Sequence, residues 1–327
     1  MKLKPSTKPG KNRRKFSTLA APANIQLKTL LATTDFSDAS RSGVRYAVAL
    51  AEKLGATVAL LHVIEPRSWL SELGSVVPAR EDAEVVALAH KQLATMAERE
   101  GKGGVAVTFA VSVRTGHPFD AITTAAREHA AELIVIATHG HTGVERVLLG
   151  STAERVVRHA PCAVLTVPTR ATTKRTGKTP PFKLKKILVP MDFSNVSKDA
   201  LPWATHLAAH FGAELVLVHI VEKFPIDYLL GRGLMNEAIT PLMKQAEADL
   251  EQMAVSLSKS TGVNVSAVVS EGKPFEEICQ TAKALGADLI VLTTHGYTGL
   301  KHVWLGSTAE RVVRHASCPV LAVRGSK

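Results

Sequence analysis

The tripeptide Thr-His-Gly occurs twice, as Thr138-His139-Gly140 and Thr294-His295-Gly296. After nine intervening residues each is followed by Gly-Ser-Thr, at Gly150-Ser151-Thr152 and Gly306-Ser307-Thr308. Glycine lets a backbone turn tightly and approach a ligand closely. The unpaired N–H groups at a helix start, joined by a serine hydroxyl, make an anion site suited to phosphate. No Lys follows the glycine of Gly-Ser-Thr, so this is not the P-loop pattern. An acid upstream completes each set, Asp35 and Asp192. A carboxylate beside a phosphate site suits ribose hydroxyls or a metal ion held between phosphates. Together these residue types describe a mononucleotide pocket, written twice.

The elements that must bring them together are legible because the chain is an internal repeat. Residues 149–160 and 305–316 both read LGSTAERVVRHA. LLATTDFS at 30–37 aligns with ILVPMDFS at 187–194, and LHVIE at 61–65 with VHIVE at 218–222, both at an offset of 157. GHPF at 116–119 matches GKPF at 272–275 at an offset of 156. The 327 residues therefore hold one domain of about 140 residues twice.

Within each copy, short β-branched apolar runs alternate with longer amphipathic stretches, the pattern of an α/β domain with a parallel sheet covered by helices. Strands are predicted at 28–33, 57–63, 105–112, 133–138 and 163–167, and helices at 40–54, 81–100, 118–131 and 151–160. The second copy predicts strands at 185–190, 214–220, 263–269, 288–293 and 319–323 and a long helix at 236–260. Ser37 and Asp38 are placed to cap the first helix and Gly55 to stop it. Ser151, three residues before Glu154, has capping-box spacing. Right-handed crossovers leave few strand orders, of which 3-2-1-4-5 is a common one. There the chain reverses between the first and fourth strands, and ligands bind beyond the carboxyl ends of strands at such a reversal. Thr34-Asp35 and Thr138-His139-Gly140 end those two strands in the first copy, and Asp192 and Thr294-His295-Gly296 in the second.

Charge points elsewhere at first sight. Lys and Arg number 40 against 29 Asp and Glu, a net charge of +11, which suggests a polyanionic partner. Yet residues 1–26 and 168–186 each carry seven basic residues and no acid, leaving the remainder near −3. The expected organisation is a flexible basic tail at 1–26, a domain at 27–168, a solvated basic linker at 169–183 and a second domain at 184–327. No specific nucleic-acid partner is expected of the domains. Cys162, Cys279 and Cys318 are too few for a disulfide framework and point to a reducing compartment. Asn12-Arg13-Arg14-Lys15-Phe16 faintly resembles a twin-arginine export signal, but the apolar stretch after it is too short, and no run reaches the length of a membrane span. A cytoplasmic protein without a membrane partner is expected.

These motifs make the chain resemble the universal stress protein family in its tandem form: the strand-one Asp-Phe-Ser, the His of strand two, and Thr-His-Gly followed by Gly-Ser-Thr-Ala-Glu-Arg-Val-Val-Arg-His-Ala. The resemblance implies Rossmann-like domains of the adenine nucleotide alpha hydrolase-like kind, pairing of such domains through strand five, and, in one subgroup, ATP binding. That subgroup carries Gly-x2-Gly-x9-Gly-Ser/Thr. Here the first glycine is replaced by Ala137 in one copy and Thr293 in the other, and Thr34 corresponds to Met191. A β-branched side chain is harder to accommodate beside a nucleotide than a methyl group, so the first domain is expected to be the better site. By resemblance, Asp35 contacts ribose or metal, Thr34 stands beside it, Val63 packs by adenine, Ile136, Ala137, His139 and Gly140 line base and ribose, and Gly150, Ser151 and Thr152 hold phosphate. The second copy matches through Asp192, Ile220, Leu292, His295, Gly296, Gly306, Ser307 and Thr308.

Plainer roles are available for several of these residues. His139 and His295 have no acid or nucleophile beside them within the motif and suit orientation or ligand packing better than general-base work. His62 and His219 read as hydrogen-bonded core histidines. Arg155, Arg158 and His159, repeated as Arg311, Arg314 and His315, fit a solvated face or an interdomain contact as well as a phosphate clamp. The expected function is binding of ATP or a related adenine nucleotide, with or without Mg2+, without evident catalysis. The domains would form an internal pseudo-dimer, and two chains would associate further through the same edges. The alternatives are a nucleotide-free scaffold or signalling module and a slow ATPase.

Overall fold

The computed structural model describes residues 25–65, 79–101, 107–138, 149–168, 182–222, 232–294 and 306–325. The first copy runs β1 (Thr29–Thr34), α1 (Asp38–Leu54), β2 (Thr57–Ile64), α2 (Ala79–Glu100), β3 (Phe109–Thr115), α3 (Pro118–Glu128), β4 (Leu133–Ala137), α4 (Ser151–His159) and β5 (Ala163–Val167). The second runs β6 (Lys186–Pro190), α5 (Asn195–Lys198), α6 (Ala200–Phe211), β7 (Glu214–Glu222), α7 (Arg232–Thr261), β8 (Val265–Gly272), α8 (Pro274–Leu285), β9 (Leu289–Thr293), α9 (Ser307–His315) and β10 (Val320–Val323).

The strands form one sheet in the order β3-β2-β1-β4-β5-β10-β9-β6-β7-β8. Each half has the predicted 3-2-1-4-5 order, and its internal pairings are parallel. The halves join where β5 meets β10 antiparallel, with Leu165 opposite Leu321. Both strands are buried along their whole length, and an apolar edge of this kind needs a partner. The buried Thr166 hydroxyl donates to the Val320 carbonyl across the join, at 3.2 Å. This is the expected internal pseudo-dimer. The pairing occupies both strand-five edges, so association of two chains through those same edges has no strand left to use; the sheet ends on β3 and β8.

Alternation along β1 sends Leu30 and Ala32 to one face and Leu31 to the other. The first face packs under α1, α2, α6 and α7 through Val44, Leu93, Leu207 and Leu250. The second packs under α3, α4, α8 and α9 through Ile122, Val156, Ile278 and Val312. Among the described residues no helix is long and apolar enough to cross a membrane.

Some boundaries differ from the sequence reading for identifiable reasons. β3 runs to Thr115 rather than 112 because it pairs with β2 as far as Ile64. The α3 helix stops at Glu128, and Ala130 takes a left-handed φ of 47°. The counterpart of α1 is broken into α5 and α6, so that Pro202 falls in the first turn of α6, where no N–H is required of it. The region read as solvated linker reaches only part-way to β6. Phe182 packs edge-on against Tyr46 at 4.8 Å and near Phe211 at 5.5 Å, Leu184 is buried, and Lys186 opens β6. These apolar residues interleaved with lysines were the missed signal. Residues 1–24 and 169–181, where most of the expected tail and linker fall, lie outside the described residues.

Candidate functional site

At the end of β1 the chain enters α1 through a tight turn. The Asp35 carboxylate accepts hydrogen bonds from the Ser37 N–H (3.0 Å) and hydroxyl (2.5 Å), and Ser37 Oγ accepts the Ser40 N–H, capping α1. Between them Phe36 has φ 64°, costly for a non-glycine residue and held by its surroundings. The second copy rebuilds the turn with Phe193 at φ 60°, Asp192 accepting from the Ser194 N–H at 2.9 Å, and Ser194 capping α5. Each phenylalanine ring rests on the strand-two histidine, at 4.4 Å from His62 and 4.5 Å from His219. His62 Nδ1 donates to the Thr34 carbonyl at 2.8 Å and His219 Nδ1 to that of Met191 at 2.7 Å. These histidines hold the acid-bearing turn.

At the end of β4, the Thr138 N–H donates to the Val167 carbonyl, and the Thr138 carbonyl accepts the Gly150 N–H at 2.8 Å. Gly150 has an ordinary φ of −58°, but a Cβ on it would lie 3.3 Å from that carbonyl, so close approach is what favours glycine here. Thr294, Gly306 and Val323 repeat the arrangement. The expected capping box is not formed. The N-cap of α4 is Gly150, without a side-chain cap bond, and Ser151 is the first helical residue. Among the described residues no side chain caps the orphan N–H donors of this helix start.

The two turns flank one cleft of about 340 Å³ on the α3/α4 side of the sheet. Thr34, Asp35, Val63, Ile136, Ala137, Gly150, Ser151 and Thr152, all expected site residues, line it. The second half has a cleft of about 280 Å³ lined by Asp192, Ile220, Leu292, Gly306, Ser307 and Thr308, with Met191 and Thr293 in its wall. His139, Gly140, His295 and Gly296 lie outside the described residues. Glu65, Pro118 and Ile122, and Glu222, Pro274 and Ile278, also line the clefts, although they were not among the residues expected there. The strand period beyond Val63 and the first turn of the helix after β3 were the available signals.

The sequence profile of the universal stress protein family matches residues 26–168 and again residues 183–324. The chain belongs to the universal stress protein family. A universal stress protein of Methanocaldococcus jannaschii is 38% identical over 143 residues, 44% of this chain and 84% of that protein. One from Thermus aquaticus is 39% identical over 142 residues, 43% of this chain and 98% of that protein. A solved universal stress protein from Archaeoglobus fulgidus shares the fold across both halves, with a TM-score of 0.65 at 23% identity, covering 92% of this chain and 98% of that one.

In this tandem universal stress protein the repeated Arg and Glu of the last helix join the domains. Arg158 bonds Glu154 at 3.0 Å and Glu310 at 2.8 Å, while Arg314 bonds Glu310 at 3.1 Å and Glu154 at 3.5 Å. The four charges close a ring across the pseudo-two-fold axis, which is the interdomain role among those considered. Arg155 instead stacks over Phe119 at 4.5 Å and Arg311 over Phe275 at 5.0 Å. The cysteines are free. Burial pushes the thiols of Cys162 and Cys318 up to about 12 and that of Cys279 to about 11, which leaves them protonated and unreactive at neutral pH.

Proposed function

We propose that the first cleft binds ATP or a closely related adenine nucleotide, and that the protein is a cytoplasmic binding or regulatory component of a stress response. The observation that carries this reading is that Asp35, the start of α4 and an apolar wall of Val63 and Ile136 line a single cleft beyond the ends of the neighbouring strands β1 and β4, where the order of winding reverses. Gly150, Ser151 and Thr152 would hold phosphates, Asp35 ribose, and Val63 with Ile136 the base. The residues fit such a ligand: the bare Gly150 lets the helix start approach closely, and the donor set is amide and hydroxyl, as an anion requires. Among the described residues no three ligating side chains gather to hold a metal, so a Mg2+ ion would take most of its ligands from phosphate.

The second cleft is the weaker site in this reading, because Thr293 and Met191 stand where the first has Ala137 and Thr34. Those substitutions also favour a second reading, in which that domain works through protein contacts alone. The test is the nucleotide carried by the purified chain after denaturation, together with its thermal shift in MgATP. Asp35→Asn keeps the acceptor for Ser37 but removes the charge; it should abolish most of the shift, whereas Asp192→Asn should leave most of it. No released nucleotide and no shift in the wild type would replace nucleotide binding with the protein-contact reading. Phosphate release lost in Asp35→Asn would instead support a slow ATPase.

A further inference from the structure

The strand order lays the cleft out as a line. β2, β1 and β4 are consecutive neighbours, and two strand spacings make about 10 Å from the end of β2 to the end of β4. The start of α4 follows β4, Asp35 ends β1, and Leu61, Val63 and Glu65 line the cleft from β2. Alternation puts those three side chains on one face, while His62 between them turns to the other, toward Phe36. Leu61 is buried, Val63 half-buried and Glu65 exposed, so this wall climbs from the core to the rim and ends in a carboxylate. Val218, Ile220 and Glu222 repeat it in the second cleft. Neither glutamate side chain makes a hydrogen bond or ion pair with the described residues, whereas the Asp35 carboxylate already accepts two from Ser37.

We propose that Glu65, and Glu222 in the second domain, read the base of the bound nucleotide and select an exocyclic amino group. The inference rests on the nucleotide reading of the cleft, in which phosphates at α4 and ribose at Asp35 leave the base at the end of β2. An ionised carboxylate only accepts hydrogen bonds. It gains a charge-assisted bond from the 6-amino group of adenine and repels the 6-oxo group of hypoxanthine. Because both glutamates lie at the solvent rim, the discrimination is modest, of order ten-fold, as for one hydrogen bond to a charged group.

The experiment is calorimetric titration of the full chain with MgATP and MgITP, which differ at that position of the base. The wild type should prefer ATP by about ten-fold, and a Glu65→Ala, Glu222→Ala variant should bind the two within about two-fold. Glu65→Gln with Glu222→Gln can offer an N–H to the 6-oxo group, so it should bind ITP more tightly than the wild type does, a gain that a damaged fold would not produce. Equal affinities in the wild type, or a preference that survives both pairs of substitutions, overturn the role of Glu65. A wild type that binds neither nucleotide overturns the reading of the cleft beneath it.

Discussion

Tyr46 lies on α1 at the join of the two halves, and Tyr46→Phe should make the protein more stable, opposite to the usual effect of altering a core residue. Its ring packs against Phe182 and borders a small void walled by Leu50 and Leu207, Leu133 and Leu289, and Leu165 and Leu321, pairs related by the repeat. Trp203 occupies the corresponding position in the second half. Tyr46 is partly buried, and its hydroxyl oxygen is buried with no hydrogen-bond partner among the described residues. Burial, then the neighbouring Cys318 and Asp288, push its ionisation well above the ordinary value of 10.0. The void measures about 10 Å³, close to one water, but its walls are hydrocarbon, and a buried water needs two or more polar partners. An unsatisfied buried hydroxyl costs about 1–3 kcal/mol; deleting it, less the packing of one lost oxygen, should raise the unfolding free energy by about 1 kcal/mol. The assay is urea unfolding followed by circular dichroism. The midpoint should rise at constant slope, with a thermal midpoint about 2 °C higher. A lower midpoint for Tyr46→Phe would show instead that the hydroxyl is satisfied in the folded protein.

Two further outcomes follow from the same interface and its surroundings. The thiols of Cys162 and Cys318, raised by burial to about 12, and of Cys279, raised to about 11, keep their protons in the folded protein after the unfolded chain has begun to lose them near 9.0. Their contribution is complete below pH 9 and declines above it, at up to about 1.4 kcal/mol per pH unit for each of the Cys162 and Cys318 thiols and by less for the more exposed Cys279. Unfolding at pH 8 and pH 10.5 should show the decline, and Cys162→Ala with Cys318→Ala should reduce it, leaving the share of Cys279. In the ring of Glu154, Arg158, Glu310 and Arg314 the side chains are 24–35% exposed. Arg158→Met with Arg314→Met should therefore cost about 1–2 kcal/mol at low salt, as the paired glutamates then repel, and clearly less in 1 M NaCl. A cost independent of salt would assign the loss to packing instead.

Much of the molecule was written in its residues. Two copies at a nearly fixed offset settled the domain count, and continuous apolar runs such as LIVIA of β4 marked parallel strands covered on both faces. Strand order and right-handed crossovers anticipated that Asp35 and Gly150-Ser151-Thr152 would meet at one cleft, whereas Val63 and Ile136 were expected there from the family resemblance. Other matters depended on atoms far apart in sequence. Ser151 does not cap its own helix because Gly150, whose N–H bonds the Thr138 carbonyl at the end of β4, is the N-cap and Ser151 the first helical residue, while Glu154 pairs with Arg158 and Arg314. The ends of β3 were set by the length of β2, and Phe182 left the basic segment because Tyr46 and Phe211 offered it an apolar surface. Local pattern determines what each segment prefers and which chemistry it carries. The register in which β5 meets β10, with Leu165 opposite Leu321, and the choice of Glu310 and Glu154 as cross-join partners of Arg158 and Arg314 are long-range pairings, which only the folded chain fixes.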